Sequence, residues 1–297
     1  MTMNTPPTPH QSFALLKKRE RRIYLRQRVC NAWCVRQITL KRASFLCCSL
    51  MFLLTAFTAV SAQPRANQTT SGMQPPSATL VAQYMERGIA KTDNGDFQGA
   101  IRDFDAAIRN SLANAIAYRY RSYARLQVQD YAGTINDCSE VLRINARDSN
   151  AAIAYLYRAY AKFALGQFEG VTHDCSSALA LDPYADDALS LRGQARIEMN
   201  DYEAAKNDFT DALNMNHANA TYFFMRGQVR AQMRDFLGAA GDFTMTLQLE
   251  PNAFQAYLHR GKAKIGMNDP SACDDFRAAS KLGVKESAQL IAQHCSP

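Results

Sequence analysis

The sequence predicts an all-α protein: a solenoid of six tandem helix-turn-helix units closed by one more C-terminal helix. Three observations carry this reading. An Arg followed by Gly or another small residue recurs at Arg87, Arg121, Arg158, Arg192, Arg226 and Arg260, spaced by 34, 37, 34, 34 and 34 residues, and self-similarity at such a period marks stacked repeat units. Each unit holds two helix-length stretches with apolar or small residues at i, i+3, i+4 and i+7 spacing, separated by a short Gly/Asn/Asp break. No segment shows the sustained alternation of period two that a half-buried strand requires.

Charge divides the chain before any element is placed. Net charge is +7 over 297 residues, with a pI near 9.0. Residues 1–62 hold ten Lys/Arg and one acid, whereas residues 63–297 hold 24 basic and 26 acidic side chains. The repeat region is therefore close to neutral, and no broad basic field draws it to nucleic acid. Four of the eight cysteines (Cys30, Cys34, Cys47, Cys48) and the single Trp, Trp33, also sit in the first 62 residues.

Residues 1–42 are a basic N-terminal extension. Residues 43–62, ASFLCCSLMFLLTAFTAVSA, carry no charge and follow Lys41-Arg42, which suits either a signal peptide core or a membrane-crossing helix with its positive flank inside. Val60-Ser61-Ala62 before Gln63 places small residues where signal peptidase reads, so the chain is expected to be exported, periplasmic or secreted, after cleavage near Ala62. The alternative is an anchor retained in the membrane through 43–62. The length of the extension admits a translation start nearer Leu40, a cytoplasmic tail or an organelle transit peptide. Cys30 and Cys34 lack the second pair or His that a zinc site needs. Residues 63–80 form a polar, Pro-containing linker in which Ser77 can cap the first helix.

The array spans 81–282, in units 81–114, 115–148, 149–185, 186–219, 220–253 and 254–282. Three residues before each Arg stands Tyr84, Tyr118, Tyr155, Leu189, Phe223 or Tyr257. Asp96, Asp130, Asp201, Asp235 and Asp269 are placed to cap second helices, and Pro270 is expected to open the last of them. The third unit carries three extra residues around Ser149–Ala151. Residues 283–297 supply a capping helix and tail, with Gly283 ending the preceding helix in a left-handed conformation.

These residues resemble the tetratricopeptide repeat (TPR) family, in which an aromatic, a Gly, Ala-x3-Phe and a closing Pro recur every 34 residues. Tyr84, Gly88 and Ala100-x3-Phe104 match in the first unit, Ala205-x3-Phe209 in the fourth, and Ala239-x3-Phe243 with Pro251 in the fifth. The resemblance implies a right-handed α-solenoid whose first helices line a concave groove. It also implies lining positions: Ile116, Arg119, Tyr123, Leu126, Ile153, Leu156, Tyr160, Phe163, Asp187, Ser190, Gln194, Ile197, Glu198, Phe224 and Gln228, with Tyr120 and Tyr157 beside them. Such a stretch suits a peptide with apolar anchors; several of these tyrosines can instead pack between repeats. The Lys and Asn with which chaperone-binding members hold a terminal carboxylate are replaced by Met85 and Ile89, which disfavours heat-shock chaperones as partners.

One departure from the family is regular. The ladder Arg is followed four residues later by a second base (Lys91, Arg125, Lys162, Arg196, Arg230, Lys264), and each unit has an Asp in its second helix: Asp103, Asp137, Asp174, Asp208, Asp242, Asp275. This reads as a structural Arg–Asp ladder or, alternatively, as a stripe for an anionic ligand. Cys273 and Cys295 lie at nearly matching distances either side of Gly283, so a disulfide can close the terminal hairpin if the domain is exported. Cys138 and Cys175 stand where four other units have Phe and read as small core residues.

No His/Cys/acid cluster, Gly-rich phosphate loop or nucleophile elbow is present in the sequence, so no catalytic residue, metal or cofactor is assigned and the protein is not expected to be an enzyme. The expected function is a protein-binding scaffold whose partner is a peptide or protein segment, with membrane contact only through 43–62. The alternative is a structural subunit or assembly factor of an envelope or organelle-membrane complex that uses its edges or convex face.

Overall fold

In the computed structural model, residues 77–111 and 113–295 are described. The basic extension, the apolar segment 43–62, the cysteines within them and the linker up to residue 76 lie outside the described residues. Among the described residues, no helix is long and apolar enough to cross a membrane.

The chain runs through thirteen helices among the described residues: α1 Ser77–Asp93, α2 Phe97–Asn110, α3 Ala115–Gln127, α4 Tyr131–Ile144, α5 Ser149–Ala164, α6 Phe168–Leu181, α7 Asp186–Glu198, α8 Tyr202–Met215, α9 Ala220–Gln232, α10 Phe236–Leu249, α11 Phe254–Gly266, α12 Ala272–Lys281 and α13 Lys285–His294. Helices α1 to α12 pair into antiparallel hairpins, each packing on the next, and α13 lies against α12. The first helices of successive units also touch (α1 with α3, α3 with α5, α5 with α7, α9 with α11), whereas second helices do not meet second helices to the same extent. The odd-numbered helices therefore line the inner side of the curve, as in a tetratricopeptide-like α-solenoid.

Local chemistry sets the boundaries. The side chains of Asp96, Asp130, Asp201 and Asp235 accept the backbone N–H of Gly99, Gly133, Ala204 and Gly238 at the starts of α2, α4, α8 and α10, caps that contribute about 1 kcal/mol each. In all six hairpin turns the residue just before the capping position, or its equivalent, has positive φ: Gly95, Gln129, Gly166, Asn200, Arg234 and Asn268. The extra residues of the third unit lengthen α5, which Asp148 caps through the N–H of Ala151. The sixth unit differs from expectation. Asp269 accepts the N–H of Ser271, and α12 begins only at Ala272, so Pro270 sits in the turn rather than opening the helix. The Asp269 carboxylate is engaged by Ser271 inside the turn, and the helix starts one residue later.

Each hairpin closes on one size-matched pair. A Cβ added at Gly88, Gly193, Gly227 or Gly261 would come within 2.6, 3.0, 2.8 or 2.5 Å of the Phe104, Phe209, Phe243 or Phe276 ring. Each ring fills the space its glycine leaves. In the second and third units the glycine is replaced by Ser122 and Ala159, and the ring by Cys138 and Cys175, both fully buried. The larger residue on the first helix is offset by the smaller one on the second, as a close-packed interior demands.

Candidate functional site

The charged residues of the helix pairs form a continuous ladder. Arg158 donates through Nε and Nη2 to both oxygens of Asp174 at 2.9 and 2.7 Å, and Lys162 reaches the same carboxylate at 2.8 Å. The pattern repeats as Arg121–Asp137–Arg125, Arg192–Asp208–Arg196, Arg226–Asp242–Arg230 and Arg260–Asp275–Lys264. It opens with Arg87–Asp103–Lys91. Two bases one turn apart on a helix would repel, and the Asp between them turns that repulsion into a paired network. Every ladder Arg except Arg192 also has an aromatic ring beneath its guanidinium, as Arg158 has Tyr155 at 5.4 Å; Leu189 occupies that place beside Arg192.

The ladder also joins units, through residues that sequence reading had passed over. The remaining guanidinium nitrogen of each interior Arg donates to the preceding unit, two residues beyond its ladder Asp. Arg121 reaches Asp105 at 2.6 Å, Arg158 Ser139 at 3.2 Å, Arg192 Ser176 at 3.0 Å, Arg226 Thr210 at 3.3 Å and Arg260 Thr244 at 3.2 Å. The signal was present in the sequence, since all five residues are short oxygen acceptors at one repeat position. With its cations bound in place, the stripe is a device for fixing the register between units.

The carboxylates do not titrate alike. Burial alone would raise Asp174, but the hydrogen bonds and charges of Arg158 and Lys162 outweigh it and hold the group below its ordinary value of 3.8. For Asp137 burial prevails over Arg121 and Arg125, with the nearby Asp105 charge adding to it, and the group lies above 3.8.

The expected groove residues separate into two sets. Arg119, Tyr120, Tyr123, Leu126, Ile153, Leu156, Tyr157, Asp187 and Ser190 are buried. Tyr120 stacks on Phe104 at 5.8 Å, Tyr123 meets Tyr157 at 5.7 Å, and the Arg119 guanidinium lies 4.3 Å from the centre of the Tyr120 ring. These three tyrosines pack between repeats. Tyr160, Phe163, Gln194, Ile197, Phe224 and Gln228 are half-buried, and Ile116 and Glu198 are exposed. Apart from Ile116 on α3, the reachable inner surface thus lies on α5, α7 and α9. Gln194 and Gln228 occupy the same repeat position in adjacent units, with Tyr160 at that position one unit earlier. The Gln194 amide donates to Ser190 Oγ at 3.3 Å, which orients it.

Beside this strip, Tyr222 donates its hydroxyl to Asp186 at 3.2 Å. Its pKa is raised, first by burial and then by the charges of Asp186 and Asp187. His259, between Phe224 and Phe243, is lowered to about 4, mainly by burial and further by Lys262. Burial pushes the Cys138 thiol up to about 12, and raises Cys175 as well. Neither thiol has the electropositive, accessible setting of a nucleophile. Cys273 and Cys295 are joined by a disulfide, with Cα atoms 5.7 Å apart. Among the described residues no three His, Cys, Asp or Glu side chains converge as metal ligands.

The fold is that of a tetratricopeptide-repeat solenoid. The tetratricopeptide repeat family model matches residues 186–219, the fourth unit. Solved structures with the same fold include YrrB, described as a TPR protein with an unusual peptide-binding site, at 17% identity and TM-score 0.57 over 64% of this chain and 97% of that one. PilF of Pseudomonas aeruginosa aligns at 14% identity and TM-score 0.61 over 73% of this chain and 99% of that one. The C-terminal part of a TPR repeat-containing protein from Cytophaga hutchinsonii aligns at 16% identity and TM-score 0.62, covering 71% and 87%. No curated protein matches the sequence of this chain.

Proposed function

We propose that the chain is a non-enzymatic scaffold that holds a segment of another protein against α5, α7 and α9. The observation that carries this is the half-buried strip of Tyr160, Phe163, Gln194, Phe224 and Gln228 on the inner helices. Rings supply apolar contact area there, and the two amides each offer a donor and an acceptor to a peptide main chain. The nearby bases Arg192, Arg196, Arg226 and Arg230 are committed to Asp208 and Asp242, so the strip selects for shape and uncharged contacts more than for an anionic partner. The peptide-binding site described for YrrB lends support through the shared fold.

The scaffold works outside the cytoplasm or at a membrane. The signal-like segment 43–62 supports this placement, as does the Cys273–Cys295 bond, since disulfides persist in oxidising compartments.

The test places photo-crosslinking residues singly at Gln194 and Gln228, with the exposed Asn207 on α8 as control. Capture of one protein from both inner positions, competed by a peptide from that protein, is the expected result. Capture from Asn207 alone would overturn the groove reading in favour of a structural subunit that works through its outer face. Blocking free thiols on cell lysis and mapping Cys273 and Cys295 tests the compartment; both recovered as free thiols would count against export.

A further inference from the structure

The two ends of the array are finished in different ways. In the later units the first helix turns mostly apolar residues toward the unit before it; Tyr120, Tyr157, Leu191 and Met225 are buried, and the sixth unit has the half-buried His259 at that position. At the matching position α1 carries Glu86, with Gln83 one turn earlier, and both are exposed. Among the described residues that face of α1 is therefore polar, as the outer face of a terminal solenoid unit is.

The C-terminal end keeps interior chemistry. Ala272, Phe276 and Ala279 are all at 0% exposure and repeat the Ala100, Phe104 and Ala107 of the first unit. Within the array such a ring meets the next unit, as Phe104 meets Tyr120 and Phe243 meets His259 at 5.6 Å. At the end, Val284, Leu290 and Ile291 of and beside α13 cover it instead. Helix α13 has ten residues, no side-chain N-cap and a single buried residue, Ser287. A helix that short is marginal in water by itself. Two ties hold it down: the Cys273–Cys295 disulfide, and the pair of Lys262 Nζ with Glu286 Oε1 at 2.7 Å.

We propose that the C-terminal edge is an interface for a second copy of this chain, closed while the Cys273–Cys295 disulfide is intact. A dithiol reductant opens it. One of its thiolates attacks a sulfur of the bond and expels the other cysteine as thiolate, and its second thiol resolves the mixed disulfide. Two electrons pass to the protein, leaving Cys273 and Cys295 as thiols and the reductant as a disulfide. Helix α13 then swings about Gly283, whose φ of 90° makes the turn, and uncovers Leu258, Phe276 and Ala279.

The polar end of a second copy does not fit that face. It would set the Glu86 carboxylate against Phe276, where the rings of other units meet Tyr120, Met225 or the His259 ring. Arg87 would look for its acceptor two residues beyond Asp275, where interior units have Asp, Ser or Thr and this one has Arg277. Head-to-tail growth is thereby opposed by a buried carboxylate and by like charges. The same edge of another copy remains, apolar against apolar about a two-fold axis. This inference is independent of the groove, since the chain itself is the only partner it needs.

The test measures the mass of the full chain by light scattering across a concentration series, oxidised and in dithiothreitol, alongside Cys273→Ser and Cys273→Ser/Ser280→Glu. Ser280 is exposed under the closed cap yet occupies the position of the buried Ile108, Leu213 and Leu247, so its substitution should spare the fold while charging the opened face. The expected result is the mass of a single chain when oxidised. Mass should double with rising concentration when the protein is reduced or carries Cys273→Ser, with lost hydrogen-exchange protection in 285–294, and return to monomer in the double variant. A reduced protein that stays monomeric, an oxidised one that dimerises equally, or a double variant that still dimerises would each overturn the proposal.

Discussion

The second and third units and the other four solve one packing problem in two ways. Where the first helix carries glycine, the second supplies a phenylalanine ring; where it carries Ser122 or Ala159, the second supplies Cys138 or Cys175. The Arg–Asp–base network is the same in both kinds of unit. Helix spacing is therefore set by the summed volume across the hairpin, and register by charge, and the two devices are separable. The cysteines need no chemistry of their own to explain their place.

The sharpest way to test that separation is to break the ladder in both kinds of unit. Asp174→Ala and Asp242→Ala each strand two cations that are no more than 26% exposed, and each should cost about 3 kcal/mol in urea unfolding. Equal losses support independence; a much larger loss in the cysteine unit would tie the ladder to the core. Next comes the core itself. Cys138→Phe drives a ring against Ser122 and should cost about 2 kcal/mol, with much of the loss recovered in Ser122→Gly/Cys138→Phe, a coupling of about 1 kcal/mol or more.

A smaller effect separates the second unit from the third by pH. The lowered carboxyl of Asp174 adds stability that is present above pH 3.8 and lost as pH falls through its folded value. The raised carboxyl of Asp137 does the opposite: its contribution is present below pH 3.8 and lost as pH rises through its folded value. Urea midpoints measured across acidic pH should therefore show a shallower acid loss for Asp174→Asn and no such flattening for Asp137→Asn. Smallest is the turn of the second unit, where Gln129 holds φ at 63°. Gln129→Gly should raise stability by about 1 kcal/mol, whereas Gly166→Ala in the third unit, at φ 71°, should lower it by a similar amount.

The sequence by itself determined the all-α array, its period and its turns. Those depend on local preferences and on a pattern repeated six times, so each copy corroborates the others. It also exposed the Arg, Asp and second base of every unit, because their spacing is fixed within one hairpin. Only the tertiary structure decided where the ladder reaches into the unit before. Hydrogen bonds such as Arg158 to Ser139 depend on how hairpins stack, and no single unit encodes that angle. It likewise decided which aromatic residues remain reachable. Tyr123, Tyr157 and Tyr160 look alike along the helices, but the first two spend their rings on each other while Tyr160 stays half-buried at the inner surface. Burial of a side chain is a property of the neighbours that chain stacking brings to it, and those neighbours lie a whole repeat away.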